Sequence, residues 1–179
     1  MRFSVKKLTL MAVPTAVALI VFVIEAQIPL PVPVPGAKLG LANAVTLFAL
    51  FGSNKKQRGP DDMTTSDAFF ILICRIILGA LFTGRIIAFV YSITGGLLAF
   101  AAQATVSKFV TNKQIWACGA VGAVFHNIGQ IVAAVFVTGT PAIVAFLPQL
   151  IIMGIVTGIV TGLIAQFSLA RINSAPRSK

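Results

Sequence analysis

The sequence predicts an all-α membrane protein, a bundle of six transmembrane helices, on three observations. Of 179 residues, 58% are hydrophobic and 10% charged, and the mean hydropathy of +0.98 is too high for a chain dispersed in water. The apolar residues gather into six runs separated by polar or proline-rich connections. Thirteen of the fourteen Lys and Arg residues are sorted between the chain ends and alternate connections, with Arg75 left inside a span. With the N-terminus inside, Arg2, Lys6, Lys7, Lys55, Lys56, Arg58, Lys108, Lys113, Arg171, Arg177 and Lys179 face the cytoplasm, while the outer connections hold only Lys38 and Arg85. That is the bias of the positive-inside rule, and removing either short helix would scramble it. The net charge of +10 is therefore explained by topology. A nucleic-acid binder would instead cluster basic residues with interleaved aromatics on one folded surface.

The first run, near 8–27, follows a basic start and is longer than a signal-peptide core, with no small-x-small cleavage site before Pro29, so it is expected to be a helix that stays in the membrane. Residues 28–40, IPLPVPVPGAKLG, cannot form a regular helix, because prolines at alternate positions remove donors and hold the backbone extended. This outer segment is either a stiff connector or a lid over a substrate. Further helices are expected near 39–52, 68–83, 86–107, 114–138 and 141–168. The second and third are short for a bilayer core, which needs about 20 residues. Residues 52–67 form a polar inner loop, 1–170 are read as one transmembrane domain, and 171–179 as a basic cytoplasmic tail. Cys74 and Cys118 lie in apolar runs and behave as small hydrophobes.

Helix direction and a rise of about 1.5 Å per residue rank the intramembrane polar side chains by depth. Asn43, Tyr91, Ser92, Thr94, His126, Asn127, Gln130 and Gln149 all fall in the outer half. Polar groups in hydrocarbon are costly unless they meet partners or a watery cavity, so several at one level on different helices predict a shared pocket that opens outward. Each residue also has a plainer role, as an interhelical hydrogen bond that holds the bundle together. His126 and Gln130 share a helical face, and Asn127 is turned about 100° from His126. His126 is the sole histidine, and neither cysteines nor carboxylates cluster in the membrane, so no metal is implied. No cofactor is implied either.

Arg75, mid-span in the third helix, must face the interior, either as a donor to carbonyls of broken helices or as part of an anion site. Glu25 is the one acidic residue in the apolar region, and the depth ranking separates it from Arg75 by more than ~10 Å, making a direct pair strained. Helices two, four and six start at the outer surface with their positive dipole ends, beside which stand Lys38 and Arg85, a field suited to an anionic ligand group. Gly36 and Gly40 flank Lys38 and allow close backbone approach. Small-residue stripes, Ala12 with Ala16 and Gly154 with Gly158 and Gly162, permit tight helix contact, within the bundle or with another membrane subunit.

The strings GAKLGLANAVTLFAL (36–50), RIILGALFTG (75–84), GGLLAF (95–100), GAVFHNIGQ (122–130) and LPQLIIMGIVTGIVTG (147–162) resemble the bacterial Gx transporter family, often labelled heptaprenyl diphosphate synthase component I. The likeness covers nearly the whole chain and extends to the S components of energy-coupling factor transporters. It implies a six-helix subunit of the bacterial cytoplasmic membrane that binds a small molecule from outside, with 28–40 as its lid. It also implies that Ala12 and Ala16 match an AxxxA docking pattern toward a transmembrane coupling subunit, with energy drawn from two cytoplasmic ATPase subunits. This chain carries no P-loop of its own. Pro14 departs from that motif and is expected to kink the helix.

The synthase label raises an enzyme hypothesis. Prenyl synthases hold magnesium diphosphate on DDxxD carboxylates, whereas Asp61 and Asp62 are followed by Met63, Thr64 and Thr65, and Asp67 comes two residues late. Catalysis is therefore not expected, and DDMTTSD reads as a loop that caps the third helix. The residues support a substrate-binding transport subunit. A noncatalytic membrane partner in isoprenoid or quinone synthesis and a solitary secondary transporter are the alternatives.

Overall fold

A computed structural model describes residues 5–28, 37–52 and 63–174. Most of the proline-rich segment, the inner loop with Asp61 and Asp62, and the basic residues Arg2, Lys55, Lys56, Arg58, Arg177 and Lys179 lie outside the described residues. Among the described residues six α-helices follow in order: α1 (Val5–Glu25), α2 (Asn43–Gly52), α3 (Thr65–Thr83), α4 (Ile86–Val106), α5 (Ile115–Thr138) and α6 (Leu147–Ser174). A 3-10 segment, Pro141–Phe146, leads into α6. All but α2 are long and apolar enough to cross a membrane, and the chain is a helical multi-pass membrane protein.

Helix α1 runs without interruption through Pro14. The Thr15 hydroxyl donates to the Met11 carbonyl at 2.7 Å, beside the site where the proline lacks an N–H. Met11, Ala18, Phe22 and Glu25 are buried at spacings that keep them on one face, while Ala12 and Ala16 are exposed. The second apolar run begins as irregular chain: Gly40 adopts φ +79°, and α2 starts only at Asn43, whose N–H donates to the Gly40 carbonyl at 2.9 Å. At ten residues, about 15 Å, α2 does not span a bilayer, yet it contacts each of the other five helices.

The start of α3 carries a reciprocal cap. The Thr64 hydroxyl accepts from the Asp67 N–H at 3.3 Å, and the Asp67 carboxylate accepts from the Thr64 N–H at 2.7 Å. Lys7 Nζ pairs with that carboxylate at 2.9 Å, tying the start of α1 to the start of α3. The most extensive packing is α5 on α6, followed by α4 on α5. Glycine makes both possible. A Cβ on Gly158 would lie 2.6 Å from the Gly119 carbonyl, and one on Gly129 would lie 2.7 Å from the Gly95 Cα. Gly154, Gly158 and Gly162 thus serve packing within the bundle. Two apolar clusters fill the interior, one around Leu47, Ile71, Ile115 and Leu169 at the Lys7 end, the other around Tyr91, Ile131 and Leu150 at the Glu25 end.

Candidate functional site

The break before α2 places unpaired backbone groups inside the bundle, where they need partners from the protein itself. Glu25, at the end of α1 and 3% exposed, accepts hydrogen bonds from the N–H groups of Gly40 and Leu41. Gln130 of α5 clasps the backbone of Lys38 from the other side. Its Oε1 accepts from the Lys38 N–H and its Nε2 donates to the Lys38 carbonyl, both at 2.7 Å. A side-chain amide supplies one donor and one acceptor in just this spacing, so a single residue replaces two ladder bonds. The His126 ring packs between Gly40 and Gly95; a Cβ on Gly40 would lie 2.8 Å from its Cδ2 and 3.1 Å from Asn43 Nδ2. Five elements therefore meet here, α1, the 37–42 connection, α2, α4 and α5.

Arg75 reaches this point from mid-α3. It is 2% exposed, and its Nη2 donates to Asn43 Oδ1 at 3.1 Å. The sequence left Arg75 either as a donor to carbonyls of broken helices or as part of an anion site, and the partner the structure gives it is a side-chain amide. Arg75, Glu25 and Lys38 are close enough to interact electrostatically, although the depth ranking had set Arg75 and Glu25 apart. Axial rise ignores the inward reach of a long guanidinium side chain. The Lys38 ammonium stands 3.2 Å from the centre of the Phe22 ring. Burial lowers its pKa from 10.5 to about 8; Glu25 opposes that shift, and Arg75 and Arg85 add to it.

The supply of donors here exceeds the supply of acceptors. Among the described residues, Lys38 Nζ, Asn43 Nδ2 and Arg75 Nε find no acceptor, while Glu25, Asn43 Oδ1 and Gln130 Oε1 are each engaged; the buried atoms nearby that lack a partner and can accept are His126 Nδ1 and, on the next residue of α5, Asn127 Oδ1. The Thr46 hydroxyl, one turn along α2 from Asn43, is buried and also without a partner. By contrast, Thr15, Thr83, Thr94, Thr138 and Thr157 fold back onto carbonyls of their own helices.

Not every residue singled out in the sequence joins this cluster. Asn127 donates to the Leu150 carbonyl of α6 at 2.5 Å and acts between helices. Tyr91 is buried in the apolar cluster with Ile131, Ala134 and Leu150, beside Ala37. Ser92 is buried on the next position of α4, and the Thr94 hydroxyl bonds to its own helix. Gln149 corrects the expectation most clearly. It lies near the predicted level but is exposed, and Leu150 is the residue turned toward α5. Rise fixes level only; the rotation of α6 is set by the contacts of Gly154, Gly158 and Gly162 with α5. Glu25, Phe22 and Thr46 were missing from the predicted set. The signal for Glu25 was its isolation, a lone carboxylate in an apolar run.

A second concave feature lies elsewhere. Between α1, α2 and α6 runs an apolar groove lined by Val13, Pro14, Val17, Phe48, Ile164 and Ser168 among others. It adjoins the exposed face of Ala12 and Ala16.

The sequence profile of the family described as heptaprenyl diphosphate synthase component I matches residues 15–168, most of the chain. The protein belongs to this family. That stretch includes α2 to α5 whole, with every residue of the donor cluster, so the cluster is built from the portion this synthase component I family shares. Comparison with curated proteins and with solved structures returns no match.

Proposed function

We propose that this protein is the substrate-binding subunit of an ATP-driven uptake transporter of the energy-coupling factor type. It crosses the bacterial cytoplasmic membrane six times with both termini inside, the second crossing made by the short α2 together with the irregular 37–42 chain before it, and it captures a small, partly apolar, anionic metabolite from outside, beneath the 28–40 segment. The observation that carries this reading is the surplus of buried donors, Lys38 Nζ, Asn43 Nδ2 and Arg75 Nε, around a backbone break. A surplus of donors calls for a ligand that brings acceptors, and two cations against one carboxylate call for negative charge. Ala37, next to Lys38, packs on the apolar cluster of Tyr91, Leu150 and Ile143, an environment suited to the rest of such a molecule.

The chain acts without catalysis of its own. Energy comes from two cytoplasmic ATPase subunits through a transmembrane coupling subunit that docks on the exposed Ala12 and Ala16 face of α1. Support for that face is its exposure on an α1 that stays helical through Pro14.

Mass spectrometry of small molecules carried through purification tests the binding role. Lys38→Ala, Asn43→Ala and His126→Ala should each abolish retention while the protein remains folded, and unchanged retention in all three removes the assignment. Docking is tested by combining Ala12→Leu with Ala16→Leu, which should weaken co-purification of the coupling subunit. The family's printed name favours a second reading, a noncatalytic membrane partner in isoprenoid or quinone synthesis. Capture of a soluble prenyl synthase in place of an ATPase pair would select it.

A further inference from the structure

We infer that Glu25 fixes the charge of the ligand at one, so that the cluster takes a monocarboxylate in preference to a phosphate ester or a diphosphate. The inference rests on the anion-binding reading above and adds the headgroup and the residue that selects it.

Glu25 is the one acidic side chain facing this cluster among the described residues, and it interacts electrostatically with both cations. With Lys38 and Arg75 opposite, the buried groups carry one net positive charge. Glu25 and Arg75 are almost wholly buried, so water relieves little of any imbalance. Glu25 is also held in place, since its carboxylate accepts from Gly40 and Leu41 N–H groups at the head of α2. A ligand therefore meets the carboxylate as a fixed part of the site.

The unmet donors, Lys38 Nζ, Asn43 Nδ2 and Arg75 Nε, lie on three different elements and can converge on the two oxygens of one carboxylate. A carboxylate ligand brings the buried charge to zero. A phosphate ester brings between one and two negative charges at pH 7, leaving part of its charge uncompensated in a low-dielectric interior. The other titratable groups nearby are His126, packed between Gly40 and Gly95, Tyr91 in the adjoining apolar cluster, and Arg85, exposed at the start of α4.

The test uses full-length protein in detergent at pH 7 with hexanoate and hexyl phosphate as probes of equal tail, their apparent Kd read from ligand-dependent thermal shifts. Wild-type protein should bind hexanoate about tenfold or more tightly than hexyl phosphate. Glu25→Gln keeps an acceptor for the Gly40 N–H but removes the negative charge, and it should reverse the order. Glu25→Asp, which keeps the charge, should preserve the order. Wild-type protein that binds hexyl phosphate as well as hexanoate overturns the inference without any variant, and so does an unchanged ratio in Glu25→Gln. If wild-type protein binds neither probe, the anion site falls together with the inference built on it.

Discussion

At the Lys7 end of the bundle, Leu47, Leu50, Ile71, Ile115 and Leu169 fill most of the interior with hydrocarbon, the uncharged Gln103 and Ser107 are the polar side chains buried on α4 and just after it, and Lys7, Thr64 and Asp67 gather where α1 and α3 begin. At the Glu25 end, a carboxylate, a guanidinium, an ammonium, three side-chain amides and an imidazole occupy the interior. Intact helices satisfy their own backbone, so the Lys7 end needs no interior polarity. The other end contains the irregular 37–42 stretch, and part of its polarity answers that break: Glu25 receives the N–H groups of Gly40 and Leu41, and Gln130 takes both backbone groups of Lys38. What remains at this end after that structural demand is the set of unmet donors on Lys38, Asn43 and Arg75, with His126 Nδ1 and Asn127 Oδ1 also unpartnered. The comparison separates polar groups that hold the fold from those left over for a ligand.

Four measurements would break or sharpen this contrast. The largest effect on stability is expected from Leu47→Ala, a fully buried side chain at the Lys7 end. It should cost about 2 kcal/mol, the low end for core truncation, because in lipid the loss is one of packing rather than of water exclusion. Unfolding in mixed micelles would measure it, and retention of small molecules should not change. Gln130→Leu should cost somewhat less, about 1–2 kcal/mol, since it leaves the Lys38 N–H and carbonyl without their partner. Here retention should fall together with amide exchange protection at Lys38. If Leu47→Ala impairs retention as strongly as Gln130→Leu does, the division between the two ends fails.

The third measurement is pH. The Lys38 pKa of about 8 lies below its unfolded value of 10.5, so between these values the unfolded chain binds more protons and stability rises with pH. Anion retention should move the other way, falling as pH passes from 7 to 9 while the ammonium loses its proton. Lys38→Arg, which keeps its positive charge across this range, should hold the ligand and flatten that dependence, and a slope that persists in the variant would assign the titration to another group. The smallest effect is expected from Lys7→Met, which removes the ion pair with Asp67. A cost of about 0.5–1 kcal/mol with no change in retention is expected, because the Thr64 cap still engages the carboxylate.

Several features of this molecule were legible in the sequence because they follow from length and polarity alone. The apolar runs marked the helices, and the prolines of 28–40 marked the break between the first two. Thr64 and Asp67 announced the cap of α3, and the depth ranking brought Asn43, His126 and Gln130 to the end where the sorting of charges had put Lys38. Rotation about each helix axis was not legible. It put Leu150 rather than Gln149 against α5, gave Asn127 to the α6 backbone, and carried Glu25 inward beside Arg75. The sequence by itself determined a multi-pass helical protein and the level of each polar residue, since hydrophobic runs and a constant rise per residue need no partner. Which of those residues meet was decided only in the tertiary structure, because the facing of a helix is set by glycine contacts such as Gly129 on Gly95 and Gly158 on Gly119, and these exist only between packed helices.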